Sequence, residues 1–192
     1  MAKNNIEVEI KIPVSKSLFE KAKRSVKKIG KYISYSREID KYVNAPHRNF
    51  LAKNPTEEFL RVRSKKGGDY FTYKHGYWNS KNEHTHSDEF ETKVESLKEL
   101  EKILKVLNFK NILLIDKQRE IYKVNSSFEI SLDRVKGLGY FIEIESLKGF
   151  GNHDKAMEKI YTFAKELGLN PTKRDSKGYV TLMMEKKKHL GR

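Results

Sequence analysis

The chain has 192 residues and a mass of 22.5 kDa, which suits one domain with its own core and is short for two. It contains no cysteine, so a disulfide framework, a thiolate nucleophile and a cysteine-based zinc site are excluded. The formal net charge of +14 indicates an anionic partner, and it fits nucleic acid, an acidic membrane surface and a polyphosphate equally well. Because the sequence has neither an apolar run of about 18 residues nor a signal-peptide core, we expect a single cytoplasmic domain over residues 1–192, without a membrane partner.

The first predicted element is a β-strand over residues 6–12, in which β-branched and charged side chains alternate strictly. One face carries isoleucine and valine, and the other carries Glu7, Glu9 and Lys11. Taken alone, this pattern is explained by an ordinary amphipathic strand whose charged face lies in water.

Similar alternation recurs along the chain, and the charges sort by sign from strand to strand. Solvent-facing strands would mix the two signs so that neighbours across the sheet pair. Here acidic and basic faces are separate: Arg61 and Arg63, Lys74, Glu89 and Glu91, Lys117 and Arg119, Glu129 to Asp133, and Glu143 and Glu145. A closed sheet with these faces inward would have a metal-binding side and an anion-binding side, which suits a metal-chelated polyphosphate.

Helices are predicted between groups of strands. Capping boxes Ser17-x-x-Glu20 and Ser96-x-x-Glu99 indicate the first turns of two helices. A third helix is expected over residues 154–167, and a short last helix around Tyr179 precedes a basic tail at residues 186–188.

The segment from Gly76 to Ser87 is polar and unpatterned, so we expect a mobile loop that could act as a lid. Trp78 at its base has two interpretations, stacking on a purine or anchoring the loop, and we favour the anchor. His84-x-His86 has the spacing of a metal motif, but without a third ligand a solvated loop is favoured.

The predicted order is one strand, a helix, about four strands, a helix, three strands and further helices. Hairpin connections dominate this order, which favours an antiparallel sheet. We therefore predict an α+β fold, an eight-stranded antiparallel β-barrel that forms a tunnel, with helices packed outside.

The ordered motifs resemble those of the CYTH superfamily, the triphosphate tunnel metalloenzymes. The resemblance begins with Glu7-x-Glu9-x-Lys11 and covers nearly the whole chain. The remaining motifs follow in the family's order: Leu60 to Arg63, Thr72 to Lys74, Glu89 to Glu91, Lys117 to Arg119, Leu132-Asp133, and Gly137 to Glu145. Three fragments look most like the class IV adenylyl cyclase branch: Asp40-x-Tyr42, Pro46-x-Arg48-x-Phe50 and Ser176 to Tyr179.

The resemblance implies a tunnel that binds a triphosphate together with Mg²⁺ or Mn²⁺. It implies metal ligands at five carboxylates: Glu7, Glu9, Asp133, Glu143 and Glu145. It implies phosphate binding by Lys11, Arg61, Arg63, Lys74, Lys117 and Arg119, with Lys177 or Arg174 as additions, and catalytic roles for Glu9 and Lys11. The family often has an arginine where Ser87 stands, so the roles of Glu89 and Glu91 stay open between metal ligand and partner of a basic side chain.

Three functions are compatible with these observations. The first, which we favour, is an adenylyl cyclase that converts ATP to cyclic AMP and pyrophosphate. The second is a triphosphatase acting on inorganic, nucleoside or thiamine triphosphate. The third is a binding module for nucleic acid or another polyanion, ranked last because the sequence contains no recognisable RNA-binding motif. A homodimer is compatible with the sequence.

Overall fold

The computed structural model describes residues 6–53, 56–80, 84–148 and 150–190. Alternating side chains produce nine strands in these ranges: β1 (Ile6–Glu7), β2 (Glu9–Val14), β3 (Lys31–Asn44), β4 (Glu58–Lys65), β5 (Gly68–Trp78), β6 (His84–Val94), β7 (Lys110–Val124), β8 (Phe128–Val135) and β9 (Gly139–Ser146). The helices are α1 (Lys16–Ile29), α2 (Leu97–Val106), α3 (His153–Glu166) and α4 (Gly178–Leu190), with a 3₁₀ turn at Pro171–Lys173.

The strands form one antiparallel sheet in the order β1-β6-β5-β4-β3-β7-β8-β9-β2. Its two edges, β1 and β2, are consecutive pieces of the same segment, interrupted only at Val8. Ile6 is opposite Asp88 of β6, whereas Glu9 is opposite Glu145 of β9. This N-terminal segment therefore closes the sheet into a barrel.

The predicted antiparallel barrel with outer helices is confirmed, but the predicted number of eight strands differs from the nine observed. The difference arises at Val8, where the single strand expected over residues 6–12 passes from one neighbouring strand to the other. The alternation itself continues through this point, so the sequence pattern does not reveal the interruption.

The main hydrophobic core lies between the barrel wall and two helices. The outward side chains of β2, β8 and β9 pack against α1 and α3, with these residues buried: Ile10, Ile12, Ile130, Leu132, Ile142, Ile144, Phe19, Val26, Ile160 and Phe163. Burial of each such side chain contributes about 1.5–3 kcal/mol. Because the apolar side chains point outward, the inside of the barrel is left to polar and charged groups.

Two local expectations differ from the structure. Helix α1 is capped by Ser15, whose Oγ accepts a hydrogen bond from the Leu18 amide at 3.2 Å, and not by Ser17. The loop expected over residues 76–87 is mostly strand, because β5 continues to Trp78 and β6 begins at His84. Residues 81–83, the middle of that expected lid, lie outside the described residues.

The last helix is longer than expected. Lys186 to Lys188 belong to α4 and do not form a tail beyond it. In the described part of the chain, none of the helices has the length and hydrophobicity needed to cross a membrane.

Candidate active site

The inner faces of the strands surround a cavity of about 570 Å³. In the described residues its wall includes nine acidic and nine basic side chains: Glu7, Glu9, Glu38, Glu89, Glu91, Glu129, Glu143, Glu145 and Asp175, and Lys11, Arg61, Arg63, Lys65, Lys74, Lys117, Arg119, Lys123 and Lys177. Strand register arranges them in rows, since residues directly opposite each other point to the same face. Glu9, Glu145 and Glu129 form one such row.

A first cluster of carboxylates surrounds Lys74. Its ammonium group contacts Glu7 and lies 3.1 Å from Glu9 and 3.5 Å from Glu89. Burial raises the pKa of Glu7 well above its usual range, although Lys74 opposes this. Burial alone would also raise the pKa of Glu9, but Lys74 and Lys11 lower it overall. One lysine is thus shared by three carboxylates.

Glu145 lies in the same row as Glu9 and next to this cluster. Burial and the negative charges of Glu9 and Glu129 raise its pKa to about 7. The acidic side of the cavity therefore has more carboxylate than its own cations can neutralise.

A second cluster is centred on Arg119. Its Nε and Nη2 donate to the two carboxylate oxygens of Asp133 at 2.7 and 2.5 Å, and Nη2 also contacts Glu143. The Tyr179 hydroxyl donates to Asp133 at 2.8 Å, and Lys11 lies 3.1 Å from Glu143. Asp133 is thus fully buried and already has two protein partners for its oxygens.

A third cluster was missed by the sequence analysis, which noted Asp40 only as part of a motif and Glu38 not at all. Arg63 donates to both oxygens of Asp40 at 2.6 and 2.8 Å, and Lys117 lies 3.3 Å from Glu38. Burial opposes ionisation of Glu38, but Lys117 and the neighbouring arginines lower its pKa to about 2. The alternation of Ser36, Glu38 and Asp40 in β3 is the sequence signal that could have identified this inner face.

Arg61 lies between the first and third clusters. Its Nη2 is 3.3 Å from Glu89 and 3.8 Å from Glu91, and its Nε is buried without a hydrogen-bond partner among the described residues. Glu89 and Glu91 are therefore partners of a basic side chain in this structure.

Most of the candidate residues named from the sequence line the same cavity, but Asp133 and Arg174 do not, and Lys177 lies at its margin. Lys177 is at the mouth, with its ammonium group 2.8 Å from Glu185. Arg174 donates to the His84 carbonyl oxygen at 2.9 Å and lies over the Tyr161 ring, behind the cavity wall. Ser87 is buried opposite Glu7 and makes a 2.9 Å hydrogen bond with the His84 ring.

His84 and His86 belong to β6 and not to a solvated loop. The His84 ring lines the cavity, whereas His86 stacks between Tyr77 and His153. The two rings therefore do not act as a metal pair.

Among the described residues, no three His, Asp or Glu side chains are arranged to hold a metal ion. The carboxylates instead use Lys74, Arg119 and Arg63 as partners. Their chemistry nevertheless suits a hard divalent cation, because all the donors are oxygen atoms. The raised pKa values of Glu7 and Glu145 also indicate a position where added positive charge would be stabilising.

Comparison with known proteins agrees with this architecture. Residues 5–179 match the CYTH domain family. A Methanocaldococcus jannaschii protein named as a candidate adenylate cyclase is 36% identical over 179 residues, which cover 92% of this chain and 98% of that protein. A solved Pyrococcus horikoshii structure has a TM-score of 0.79 at 32% identity, covering 94% of this chain and 99% of the other.

A more distant neighbour supports the fold alone. It is a candidate adenylyl cyclase from Hippeastrum, described as having a dominant triphosphatase activity, with a TM-score of 0.60 at 14% identity. The match covers 85% of this chain and 88% of that structure.

Proposed function

This chain belongs to the CYTH domain family, and we propose that it is a metal-dependent enzyme that converts ATP to cyclic AMP and pyrophosphate inside its barrel. The observation that carries this proposal is the cavity inside the barrel, whose described wall carries nine acidic and nine basic side chains, held in mixed clusters of ion pairs. Burial of so many charges costs desolvation free energy even when they form ion pairs, and binding of a charged ligand is a function that requires them there.

The ion pairs suggest how the substrate would bind. Lys74 is shared by three carboxylates, and Arg119 is shared by two. A triphosphate entering with a divalent cation would offer phosphate oxygens to these cations and a positive charge to the carboxylates. The pairs would exchange partners, so that the buried charges remain balanced throughout.

The basic side chains would bind and orient the phosphate groups. Arginines match phosphate oxygens through paired hydrogen bonds, and Arg61 keeps a buried Nε available for one. Burial opposes the charge on Lys11, but Glu143 and Glu9 raise its pKa overall, so Lys11 remains protonated and stabilises negative charge on phosphate.

We propose that Glu7, Glu9 and Glu145 would hold the divalent cation, Mg²⁺ or Mn²⁺, together with phosphate oxygens of the substrate and not as a complete site of their own. When bound, the ion would neutralise negative charge on the phosphate groups during transfer. Asp133 and Glu143 are less available for this role, because Arg119 and Tyr179 already occupy their oxygens.

Triphosphate hydrolysis is the second candidate. Members of the family are adenylyl cyclase-like or triphosphatases, and the cavity's cations would bind a triphosphate with or without a nucleoside. We prefer the cyclase because of the class IV motifs and the name of the Methanocaldococcus relative.

Product analysis distinguishes the two reactions. Purified protein is incubated with ATP, and separately with inorganic triphosphate, in the presence of Mg²⁺ or Mn²⁺, and products are identified by chromatography and mass spectrometry. A cyclase forms cyclic AMP and pyrophosphate without consuming water, whereas a triphosphatase releases orthophosphate. Orthophosphate from both substrates, with no cyclic AMP at any pH, would replace the cyclase proposal by the hydrolase.

A further inference from the structure

One part of the cavity wall is uncharged and aromatic. Lys74, Gly76 and Trp78 follow one another on the inward face of β5, and Trp78 and His84 line the cavity together. Their rings meet edge to face, with centroids 5.2 Å apart and an interplanar angle of 72°. This pair contrasts with the charged rows that cover most of the remaining wall.

Gly76 provides the space that the indole occupies. A Cβ atom at this position would lie 2.6 Å from the Trp78 ring, closer than van der Waals contact permits. The strand thus has no side chain at Gly76, and the indole lies over its backbone. The indole therefore packs against the backbone of the cavity wall at Gly76.

The indole Nε1–H is buried and has no hydrogen-bond partner among the described residues. Leaving a buried donor without an acceptor costs free energy, so the indole N–H is expected to have an acceptor in the functional complex. Tryptophan can only donate, which restricts the missing partner to an acceptor atom.

His84 adds a neutral ring beside this donor. Burial lowers its pKa to about 4, so the ring is uncharged near neutral pH. Its Nε2 is engaged with the Ser87 hydroxyl at 2.9 Å. A neutral ring is a poor partner for phosphate, but it can pack against another aromatic ring.

We propose that Trp78 and His84 bind the base of a purine nucleoside triphosphate, with the indole N–H donating to a ring nitrogen of the purine. Purines present unprotonated ring nitrogens as acceptors, and their flat faces pack on aromatic side chains. The inference rests on the proposed function, because it places the triphosphate of the same ligand among the cations. It goes further by assigning the residues that bind the base of that substrate, a site that inorganic triphosphate would not use.

Intrinsic fluorescence tests the proposal in the unmodified protein, because Trp78 is the only tryptophan in the chain. Ligands are added with Mg²⁺, and the indole emission is followed. ATP should change the emission markedly, and inorganic triphosphate should change it less at saturation. Equal changes with both ligands would overturn the proposal.

A substitution tests the donor directly. Trp78→Phe keeps an aromatic ring and removes the N–H, so the ratio of ATP affinity to triphosphate affinity, measured by calorimetry, should fall about tenfold. Tyr77→Phe is the matched control, since Tyr77 is half exposed and its hydroxyl donates to Asp88. The control should leave the ratio unchanged.

The outcomes separate this inference from the proposed function. Triphosphate binding with an unchanged ratio in Trp78→Phe would overturn the base site and leave the phosphate tunnel intact. Failure of the wild-type protein to bind either ligand would overturn the proposed function itself, and the base site with it. Because fluorescence needs no variant, a poorly folded Trp78→Phe protein would not prevent the test.

Discussion

Glu9 combines a short contact to Lys74 with a position opposite Glu145 in the acidic row. Glu9→Gln keeps the size of the side chain but removes the charge that a divalent cation requires. We expect turnover to fall at least about 10²-fold, because the change weakens both metal binding and the arrangement of Lys74. The measurement is a steady-state assay with and without EDTA, alongside circular dichroism to verify the fold. Full activity of Glu9→Gln, or full activity in EDTA, would rule out the metal role.

Glu145 makes the stability of the metal-free protein depend on pH. Its pKa is about 7 in the folded chain, raised by burial and by Glu9, whereas an unfolded chain has the ordinary value near 4.5. The folded state therefore holds a proton that the unfolded state has lost, and stability declines as pH rises through this interval. Above pH 7 the loss is on the order of 3 kcal/mol.

Glu145→Gln should remove this loss. In EDTA, the variant should be more stable than the wild type at pH 8 and nearly equal to it at pH 4.5, as measured by urea unfolding. Glu166→Gln, an exposed change on α3, is the control and should show no such difference. A stability gain of the same size at both pH values would contradict the assigned cause.

At the scale of elements, the start of α1 shows that Ser15 caps the helix and that the predicted Ser17 does not. Ser15 accepts the hydrogen bond from Leu18, whereas Ser17 lies exposed within the first turn. Ser15→Ala should cost about 1 kcal/mol and lower the melting temperature by about 2–4 °C. Ser17→Ala should change it much less. Thermal unfolding of the two variants checks this, and the reverse order would assign the cap to Ser17.

The strands could be predicted because their pattern is local. Alternate residues of a strand point to opposite faces whichever strands it pairs with. The inner residues of β2, β4, β7 and β9 could therefore be identified from the sequence alone. Ser17 was wrongly predicted as the cap of α1 because Ser17 and Glu20 fit the capping-box motif. The helix in fact begins two residues after the end of β2 at Val14, so Ser17 already lies inside it.

Other features depend on contacts that no local pattern records. The interruption at Val8 follows from closure of the barrel, and the strand character of His84 and His86 follows from pairing with β5. The ion pairs of Glu38 and Asp40 form with strands that are distant in sequence. The aromatic end of the cavity depends on the space above Gly76, where the Trp78 ring packs. A glycine in the sequence does not reveal which side chain fills the space beside it.

At the scale of the whole molecule, the surplus positive charge lies outside the cavity, whose wall is balanced. Helix α1 carries much of it: Lys16, Lys21, Lys23, Arg24, Lys27 and Lys28. The net charge of +14 is therefore no measure of how strongly the tunnel binds phosphate.

A pair of variants separates phosphate binding inside the tunnel from the general effect of the net positive charge. Arg61→Ala should lower kcat/KM by about 10–10³-fold, because it removes charge-assisted contacts to phosphate in a buried site. Lys27→Ala removes the same charge from the exposed face of α1 and should change kcat/KM less than twofold. Lys23 would be a poorer control, because it pairs with Glu120. Equal losses in both variants, together with steep salt dependence, would favour a polyanion-binding surface over a tunnel.

Closure of the barrel by its first strand has a consequence for the lifetime of the fold. The acidic row spans that closure, since Glu9 belongs to β2 and Glu145 to β9, which lies far along the chain. Pairing between segments that are distant in sequence forms slowly, because it closes a long loop of chain. A ligand held by both residues would fasten the two ends of the sheet, so Mg²⁺ with ATP should slow unfolding in denaturant well beyond the effect of Mg²⁺ alone. In the cell, bound substrate would then also protect the protein from proteolysis, because it slows unfolding of the chain.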